Sequence, residues 1–489
     1  MNEIELRLRE LERLGLSRRL RLVSGPQGPT VLIDGKPVLL LCSNNYLGLA
    51  DHPRVRQAAA DAAMRWGVGA GASRLVSGTM TIHRRLEERL AEFKGSESCL
   101  LFGSGYLANL GVIGALAGRG DVVLSDELNH ASIVDGCRLS RAEVAVYRHR
   151  DVEHLEWSLR KHGRRDGSAR LLIATDSVFS MDGDVAPLQA IADLAHAYGA
   201  RVLVDEAHAT GNLGPGGRGA VAEAGLEGEI DVVVGTLGKA LGSYGAYACA
   251  SEEIVRYLIN TSRSLIFSTA PSPPAVAGAL AALDLLEERP HRVQRLRANA
   301  RALRRALAAE GFPVDDSDMH IVPLIVGDER AAMRMCREAI ARGAFAQAIR
   351  APTVAMGTSR LRLTAMASHT PSELELAAGV FGEVARGLGL APASFSPALP
   401  ERVDDAWEPD ELEPVAEREL EYTELTLAVD APAAEGNASP FDLEGDRQAP
   451  ASVRPRVPTA PFDLEREAAE LPPTAPFDVE RELGGVRAA

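Results

Sequence analysis

The 489-residue chain lacks any uninterrupted apolar segment long enough to span a bilayer. Its first ten residues carry charges throughout, so they do not resemble a secretory signal. The five cysteines are odd in number and include no Cys-x-x-Cys pair, which argues against a disulfide framework and a zinc site. We therefore expect a cytoplasmic protein with reduced cysteines in its core, no membrane association and no bound metal.

An excess of basic charge is also missing. The net charge is −15, and the chain from residue 391 onward holds 23 acidic and 8 basic residues, so the remainder has 45 of each. Nucleic-acid binding needs a basic surface, which neither part of the chain offers. We expect no nucleic-acid partner.

Common nucleotide and metal motifs are absent too. The glycine-rich segment 67–78 has neither the spacing nor the preceding strand of a dinucleotide fingerprint, and Gly238-Lys239 lacks the upstream glycine and the hydroxyl residue of a P-loop. His149 and His154 do not have the His-Glu-x-x-His register of a zinc protease. We interpret this histidine pair as part of a solvated helix face.

What the sequence does contain is a lysine at the end of a strand. The β-branched residues 232–234 predict a strand buried on both faces, and Lys239 follows in a glycine-rich turn. One strand earlier, residues 201–204 end at Asp205, with His208 three residues later. Ligands bind beyond the carboxyl ends of parallel strands, so the amine and the carboxylate can meet one cofactor there. Pyridoxal phosphate fits this pair, because it needs a lysine for its aldehyde and a carboxylate for its ring nitrogen. By itself, Lys239 would also suit the surface of a strand-to-helix turn.

An alternation of strands and helices surrounds these residues and predicts a doubly wound α/β sheet. Gly103 to Tyr106 form a predicted turn before a helix at 107–116, whose first amides would suit a phosphate, although most such turns only cap a helix. The predicted helices otherwise include 187–198. The predicted strands are 98–102, 122–124, 171–175, 202–204 and 232–234.

Four regions are expected along the chain: an N-terminal arm (1–48), a large cofactor domain (49–285), a smaller C-terminal domain (286–390) and a tail (391–489). The arm has an amphipathic helix at 3–20 and a hairpin around Asp34-Gly35. A charged helix from about residue 285 to 310 opens the small domain, followed by strands at 321–326 and 360–364. The latter strand places Arg360 and Arg362 on one face, where one can clamp a substrate carboxylate if that face borders the crevice.

The tail is predicted to be disordered. It holds half of the 28 prolines, and its acidic composition cannot bury enough apolar surface to fold. A Pro-Phe-Asp-Leu/Val-Glu motif occurs at residues 440–444, 461–465 and 476–480, with spacing too irregular for a solenoid. These motifs fit docking on an unknown partner or neutral low-complexity expansion equally well.

Several motifs together resemble the α-oxoamine synthases, which are fold-type I pyridoxal phosphate enzymes. The resemblance covers about residues 5–388. Its motifs are Ser-Asn-Asn-Tyr-Leu-Gly-Leu (43–49), Gly-Ala-Ser-Arg-Leu-Val-Ser-Gly (71–78), Asn-His-Ala-Ser (129–132), Asp-Ser-Val-Phe-Ser-Met-Asp-Gly-Asp (176–184), Asp-Glu-Ala-His-Ala-Thr-Gly (205–211), Thr-Leu-Gly-Lys (236–239) and Gly-Thr-Ser-Arg-Leu-Arg-Leu-Thr (357–364).

The resemblance implies roles for single residues. Lys239 would bond covalently to the cofactor, Asp205 would pair with its pyridine nitrogen, and His208 would hydrogen-bond its ring oxygen. His130 would stack on the ring and border the substrate, although a histidine at a helix start is otherwise a capping residue. Further cofactor contacts are implied for Gly105, Tyr106, Ser180 and Thr236, and for Ser268 and Thr269 contributed by the other subunit of a homodimer with shared active sites. Substrate contacts are implied for Arg362 with the amino-acid carboxylate and for Arg18, Asn45 and Thr353 with the acyl thioester.

The implied reaction joins an amino acid to an acyl thioester with loss of carbon dioxide. The motifs most resemble the members of biotin biosynthesis, which implies L-alanine and a pimeloyl thioester on coenzyme A or an acyl carrier protein. A synthase that uses glycine or serine with another acyl group is the nearest alternative, and an interaction protein working through its tail is a second. Ala351 and Ala355 stand where the family usually has prolines, which puts acyl-chain preference in doubt more than chemistry.

Overall fold

The computed structural model describes residues 2–14, 16–163 and 169–396. The predicted tail and its repeated motifs lie outside these residues, apart from residues 391–396. The strands described are β1 Val23–Ser24, β2 Thr30–Ile33, β3 Lys36–Leu40, β4 Ser98–Phe102, β5 Val122–Asp126, β6 Glu143–Tyr147, β7 Leu171–Asp176, β8 Arg201–Asp205, β9 Val232–Thr236, β10 Ala246–Ala250, β11 Ile321–Gly327, β12 Ala344–Phe345, β13 Gln347–Ile349 and β14 Ser359–Thr364.

Helices flank these strands. The α-helices described are α1 Glu3–Arg13, α2 Pro53–Trp66, α3 Thr81–Lys94, α4 Gly105–Leu116, α5 Ala131–Ser140, α6 Val152–His162, α7 Leu188–Tyr198, α8 Ala220–Glu223, α9 Glu252–Thr261, α10 Arg263–Ile266, α11 Pro273–Glu288, α12 His291–Ala309, α13 Glu329–Ala341 and α14 Pro371–Gly387. Two 3₁₀ turns lie at Pro215–Gly217 and Pro392–Ser394.

The largest sheet has seven strands in the order β4-β10-β9-β8-β7-β5-β6. Strands β5 to β9 are parallel where they pair, which confirms the predicted mixed α/β architecture. β10 was not predicted, and it runs antiparallel to both neighbours. Its sequence, Ala-Tyr-Ala-Cys-Ala, has no β-branched residue, so the local pattern carries no strand signal. The strand forms because both of its edges are paired inside the sheet.

Close packing fixes one glycine in this sheet. Gly235 of β9 lies opposite Tyr247 of β10. A Cβ added at Gly235 would lie 2.3 Å from the Tyr247 ring, so a side chain there would displace buried tyrosine.

Two helix boundaries differ by several residues from the predicted ones. α1 ends at Arg13 instead of reaching residue 20, in keeping with the glycine at position 15 of the sequence, a residue favoured just past a helix end. α12 begins at His291, directly after Pro290, because proline suits a helix start and not a helix interior. The preceding α11 was not predicted.

The smaller sheets join distant parts of the chain. The hairpin β2-β3 turns at Asp34 and Gly35, both with positive φ, which confirms the predicted Asp-Gly turn. β12 extends this pair in parallel to β3, while β11, β14 and β13 form a separate three-stranded sheet. One continuous apolar core runs from the N-terminal hairpin to α14. The domain boundaries at 48, 285 and 390 stay a prediction.

Most of the cysteines lie in the core. All five cysteines are free, and four of them are buried, which confirms the prediction of core thiols. Among the described residues no helix is long and apolar enough to cross a bilayer.

Candidate active site

The carboxyl ends of three adjacent parallel strands carry the candidate site. Asp176 ends β7 and Asp205 ends β8, and the two residues are neighbours in the strand register. Lys239 follows the end of β9, three residues after Thr236. The sheet therefore brings the predicted amine and carboxylate together, as the strand pattern led us to expect.

A chain of hydrogen bonds runs from Lys239 into the protein. Its Nζ lies 2.7 Å from Nε2 of His208, whose Nδ1 lies 2.7 Å from the hydroxyl of Tyr46. That hydroxyl donates to Oδ1 of Asn44 at 3.0 Å. Burial, followed by the Lys239 and Arg362 cations, holds the pKa of His208 well below its ordinary value. Because a neutral imidazole has one donor and one acceptor nitrogen, Lys239 donates to Nε2, and Nδ1–H donates to Tyr46.

Burial also changes the pKa of the lysine. It lowers the pKa of Lys239 to about 8, although Asp205 and Asp176 oppose the shift. The amine is therefore close to the point where it carries or loses a proton at neutral pH. A lysine on an open surface turn, the alternative interpretation, would not be held against a buried histidine.

Asp205 is fixed by the backbone and by a buried amide. Its Oδ2 accepts from Nδ2 of Asn109 at 2.6 Å, and its Oδ1 accepts from the amide of Ala207 at 2.8 Å. The side chain of Asp205 is 4% exposed, so a partner placed against it is shielded from water. Asn109, which was not predicted, lies on α4 and positions this carboxylate.

Asp176 is a second site residue that the sequence interpretation missed. Burial and the neighbouring Asp205 raise its pKa well above the ordinary value, and its Oδ2 accepts from the amide of His130 at 2.6 Å. The signal was present, since Asp176 ends its strand in the same way as Asp205 ends the next one.

His130 has a structural role as well as an implied functional one. It is the N-cap of α5, where its Nδ1 accepts from the amide of Ser132 at 3.3 Å and lies 2.7 Å from the Ser132 hydroxyl. Burial lowers its pKa, although Asp205 opposes the shift. The capping interpretation of this histidine is thus correct, and it places the ring beside the Asp205 carboxylate.

The start of α4 lies close to the end of β9. Ser104 caps the helix, with its hydroxyl accepting from Leu107 at 3.3 Å. The amides of Gly105 and Tyr106 have no hydrogen-bond acceptor among the described residues. A Cβ built at Gly105 would lie 3.9 Å from Cβ of Thr236. This helix N-terminus, which lies two residues earlier than predicted, can therefore hold one phosphate group, with Thr236 beside it.

Other implied cofactor contacts have different surroundings. The hydroxyl of the exposed Tyr106 donates to Asp135 on α5. Thr269 forms an isolated bridge with Ser73, and Ser268 beside it is half-buried. With a single chain described, their predicted contribution across a subunit boundary stays a prediction.

The two arginines of β14 are buried, and each meets a different group of the loop at 177–185. Arg360 is 1% exposed and forms an ion pair with Asp182. Arg362 donates from Nε to the carbonyl of Ser180, and its Nη2 lies 3.4 Å from the Tyr46 hydroxyl. Arg362 therefore joins the Lys239 hydrogen-bond chain, while Arg360 is held by its own carboxylate.

Two of the three predicted acyl contacts lie together. Arg18 and Thr353 line a cavity of about 1420 Å³ between the N-terminal segment, α13 and the β13 loop. Asn45 lies elsewhere, with its Oδ1 accepting from the amides of Leu49 and Ala50. We call the pocket the arginine cavity, because it is lined by Arg18, Arg19, Arg21, Arg330, Arg334, Arg337 and Arg350.

The histidine pair at 149 and 154 does not lie on a solvated helix face, so that interpretation was wrong. His149 lies between two carboxylates, with Nδ1 at 2.9 Å from Asp126 and Nε2 at 2.7 Å from Asp184. His154 is buried and accepts from the amide of Arg148 at 2.8 Å. The four residues between them form a loop and then the start of α6. The two histidines therefore lie in different environments.

The site fits pyridoxal phosphate by the chemistry of its groups. A lysine of lowered pKa, a buried carboxylate one strand away and a helix N-terminus with open amides lie at one edge of the sheet. They match the aldehyde, the ring nitrogen and the phosphate of that cofactor.

A family model described as aminotransferase class I and II matches residues 36–381. The chain belongs to this family. The matched range contains the whole seven-stranded sheet, Lys239 and both β14 arginines, so the family covers the site described above.

Individual relatives indicate which members of this family the chain resembles. The chain is 52% identical over 385 residues to a protein of Geobacter sulfurreducens named 8-amino-7-oxononanoate synthase, covering 78% of this chain and 98% of that relative. Among solved structures, an 8-amino-7-oxononanoate synthase of Francisella tularensis matches with a TM-score of 0.61 and 25% identity over 72% of this chain and 99% of that one. These names confirm the resemblance to the α-oxoamine synthases.

A serine palmitoyltransferase variant from S. paucimobilis is another solved neighbour. It matches with a TM-score of 0.74 and 34% identity over 79% of this chain and 98% of that one, and its title records a bound PLP-myriocin aldimine. Together with the family match, it confirms the predicted fold-type I class.

Proposed function

We propose that this chain is a pyridoxal phosphate-dependent acyltransferase of the 8-amino-7-oxononanoate synthase type. It condenses L-alanine with a pimeloyl thioester and releases 8-amino-7-oxononanoate, carbon dioxide and a free thiol, a step of biotin biosynthesis. The name shared by relatives at about 50% identity over most of the chain supports this choice. The observation that carries it is the Lys239 amine, 2.7 Å from His208, next to the buried Asp205.

The residues around the cofactor site have separate tasks. When bound, pyridoxal phosphate supplies an aldehyde that takes up an amine and a ring that accepts electrons from the neighbouring carbon. Asp205 would hold a proton at the ring nitrogen, and the helix start at Gly105 with Thr236 would hold the phosphate. His208 and His130 would contact the ring. Lys239 would accept and return the substrate proton, for which a pKa of about 8 is suited.

The amino-acid carboxylate belongs on Arg362. Its guanidinium is buried beside Tyr46 and Asn44, and its Nε is engaged by the Ser180 carbonyl, which fixes the orientation of the planar group. Two N–H groups of an arginine match a carboxylate better than the single ammonium of a lysine. Arg360 is already paired with Asp182, so it is the weaker candidate.

The acyl thioester belongs to the side of the arginine cavity, where Arg18 and Thr353 lie. A pimeloyl group ends in a carboxylate, which needs a polar partner when it leaves water. Arg18 and Thr353 are exposed and line the cavity together, so they can supply that partner.

Serine with a long fatty acyl thioester is the second candidate. The likeness to a serine palmitoyltransferase, at 34% identity, favours it. The lining of the arginine cavity weighs against it, since a fatty chain would need an apolar channel instead of guanidinium groups.

The deciding experiment measures thiol release for L-alanine, glycine and L-serine, each crossed with pimeloyl, acetyl, succinyl and palmitoyl thioesters. We expect L-alanine with pimeloyl to give the highest kcat/KM, and mass spectrometry to identify 8-amino-7-oxononanoate. Some glycine or serine turnover is expected, because one methyl group is worth only about 1–3 kcal/mol in a pocket. A preference for serine with palmitoyl, or for glycine with acetyl or succinyl, would overturn the substrate assignment but not the cofactor chemistry.

We also propose a homodimer with shared active sites. Val76 and Phe267 are 79% and 72% exposed and flank the Ser73–Thr269 bridge, so an apolar surface lies beside the residues expected to reach a second subunit. Light scattering should give twice the chain mass. Mixing inactive Lys239→Ala and Thr269→Arg chains should restore part of the activity, because one site of the mixed dimer is intact. No recovery in chains shown to exchange would contradict shared sites.

A cytoplasmic location is part of the proposal. The five cysteines form no disulfide, and the four buried thiols are typical of a reducing compartment.

A further inference from the structure

The arginine cavity holds more positive charge than its own carboxylates balance. Seven arginines line it against three acids, Glu12, Asp34 and Glu329. None of the seven guanidinium groups forms an ion pair with a carboxylate of the described residues, whereas Arg360 and Arg74 elsewhere are paired and buried. Six of the seven are exposed and free to meet an anion. The cavity is therefore built for a partner with several negative charges.

Helix α13 shows the charge most clearly. Arg330, Arg334 and Arg337 lie at positions i, i+4 and i+7, which puts them on one face of the helix. The opposite face is buried and includes Met335 and Cys336. Because this packing fixes the orientation of the helix, the three arginines stay side by side at its surface. Like charges at this spacing repel one another and destabilise the helix, and an anion bound across them would remove that repulsion.

The described chain ends at the edge of the sheet that packs against this helix. Ser396 pairs with Ile325 of β11 through two backbone hydrogen bonds of 3.1 and 3.2 Å. Four residues beyond Ile325 the chain enters α13, and Arg330 is on its first turn. Ser396, Ile325, Arg360 and Ile349 lie in register across the sheet, so three strand spacings, about 14 Å, separate Ser396 from Ile349 of the cavity lining.

That following sequence is strongly acidic. Between Glu401 and Glu424 it contains eleven acidic and two basic residues, and it includes Trp407. Four residues lie between Ser396 and Glu401, and the five Cα–Cα steps allow a reach of about 17 Å. A tether this short gives an effective concentration in the millimolar range, so even weak ion pairing would keep the segment in place.

We propose that residues 401–424 bind in the arginine cavity of their own chain. The bound segment occupies the place where Arg18 and Thr353 are expected to receive the acyl thioester, and so it competes with an anionic substrate. Exposed ion pairs are screened by salt, so the competition weakens as ionic strength rises. The docking itself rests on charge and chain geometry and does not depend on the proposed function.

Fluorine NMR of the full chain tests the docking directly. The chain has three tryptophans, and 5-fluorotryptophan labelling gives three signals, of which Trp407→Phe identifies the one in the segment. We expect the Trp407 signal to be broadened and shifted at about 50 mM salt and to sharpen severalfold at about 500 mM, where the Debye length is under half as large. Adding inorganic triphosphate at low salt should sharpen it as well.

Charge reversal supplies the matched control. The variant R330E/R334E/R337E should release Trp407 at low salt, whereas R85E/R295E/R305E, with the same change of charge at exposed arginines outside the cavity, should not. Adding D404K/D405K/E408K to the first variant should restore the broad signal. Circular dichroism would show that each variant is folded. A Trp407 signal that ignores salt and both reversals overturns the docking, and a signal that changes on dilution assigns it to a second copy instead.

Turnover reports the competition separately. Changing the acids of 401–424 to their amides should lower KM for an anionic thioester severalfold and leave kcat unchanged. An unchanged KM, with docking seen by NMR, would overturn the competition. If no thioester is turned over by the unaltered chain, the proposed function fails, while the NMR result still decides the docking.

Discussion

The sheet crevice and the arginine cavity use charge in opposite ways. In the crevice, Lys239, Asp205 and Arg362 are each held by a specific partner and lie largely out of water. In the cavity, the arginines are mostly exposed and lack ion-pair partners among the described residues. Low dielectric makes each crevice contact strong and specific, while the cavity attracts any suitable polyanion and is sensitive to salt. The first arrangement suits bond making and the second suits recognition.

The largest effect should come from removing the crevice lysine. Lys239→Ala should abolish the visible absorption of the bound cofactor and lower kcat by at least about 10⁴-fold, since both the covalent attachment and the proton transfer are lost. Absorption spectra and thiol release measure the two losses. Lys36→Ala, at an exposed lysine far from Lys239 in the sequence, should change neither the absorption nor kcat. A borohydride-reducible link to the cofactor in Lys239→Ala would show that another lysine does the work.

The next largest effect should come from changing the shape of the Arg362 cation. Arg362→Lys keeps the charge but loses the planar fork, so KM for the amino acid should rise about 30- to 100-fold, or about 2–3 kcal/mol. The KM for the thioester should change little. Arg295→Lys on the exposed face of α12 is the control. An equal rise of both KM values would mean that Arg362 supports the fold of the site and does not bind the carboxylate.

His149 extends the comparison to stability. Despite burial, its hydrogen bonds to Asp126 and Asp184 raise the pKa of His149 to about 9. In the unfolded chain the pKa is about 6.5, so the charged histidine stabilises the fold fully below pH 6.5, and the stabilisation is lost as pH rises through about 9. The free energy of unfolding should fall by up to about 3 kcal/mol over this window. His149→Gln should be less stable at pH 6 and lack this slope, while His162→Gln at an exposed pair should keep it.

The smallest expected effect is that of salt on the titration of Lys239, in contrast to the salt-sensitive cavity. In cofactor-free chain, acetylation of Lys239 followed by mass spectrometry should be half-maximal near pH 8, because burial lowers its pKa to about 8. Raising salt from about 50 to 500 mM should move this midpoint by less than about 0.3 units, since a buried amine is screened little. The ordinary pKa of lysine is about 10.4, so a midpoint near 10 would show that the crevice does not lower the pKa of Lys239.

The sequence predicted those parts of the fold that repeat a local pattern. β7, β8 and β9 were predicted because their short apolar runs end in polar residues, and this same pattern located Asp205 and Lys239. β10 was missed because alanine and cysteine signal no strand, and its pairing on both sides is a tertiary effect. Asp176 was missed because one carboxylate already satisfied the expected chemistry, although the strand ends are alike.

Contacts between distant residues explain the remaining errors. His149 meets Asp184 across 35 residues, and no local pattern predicts that a histidine in a loop will lie between two carboxylates. The capping role of His130 and its place in the site were treated as alternatives, whereas the structure combines them in one side chain. The arginine cavity likewise assembles residues 18–21 with 330–337, which are separated by most of the described chain.

The parallel pair of β3 and β12 has a consequence for how the protein is made. Leu39 and Leu40 pair with Ala344 and Phe345, about 300 residues later. At roughly 5–20 residues per second of synthesis, the N-terminal hairpin leaves the ribosome some 15–60 s before its partner strand exists. Its apolar residues, such as Val38 and Leu40, must wait exposed or shielded by a chaperone during that time. Ribosome-bound chains released before residue 345 should therefore aggregate more readily than slightly longer ones.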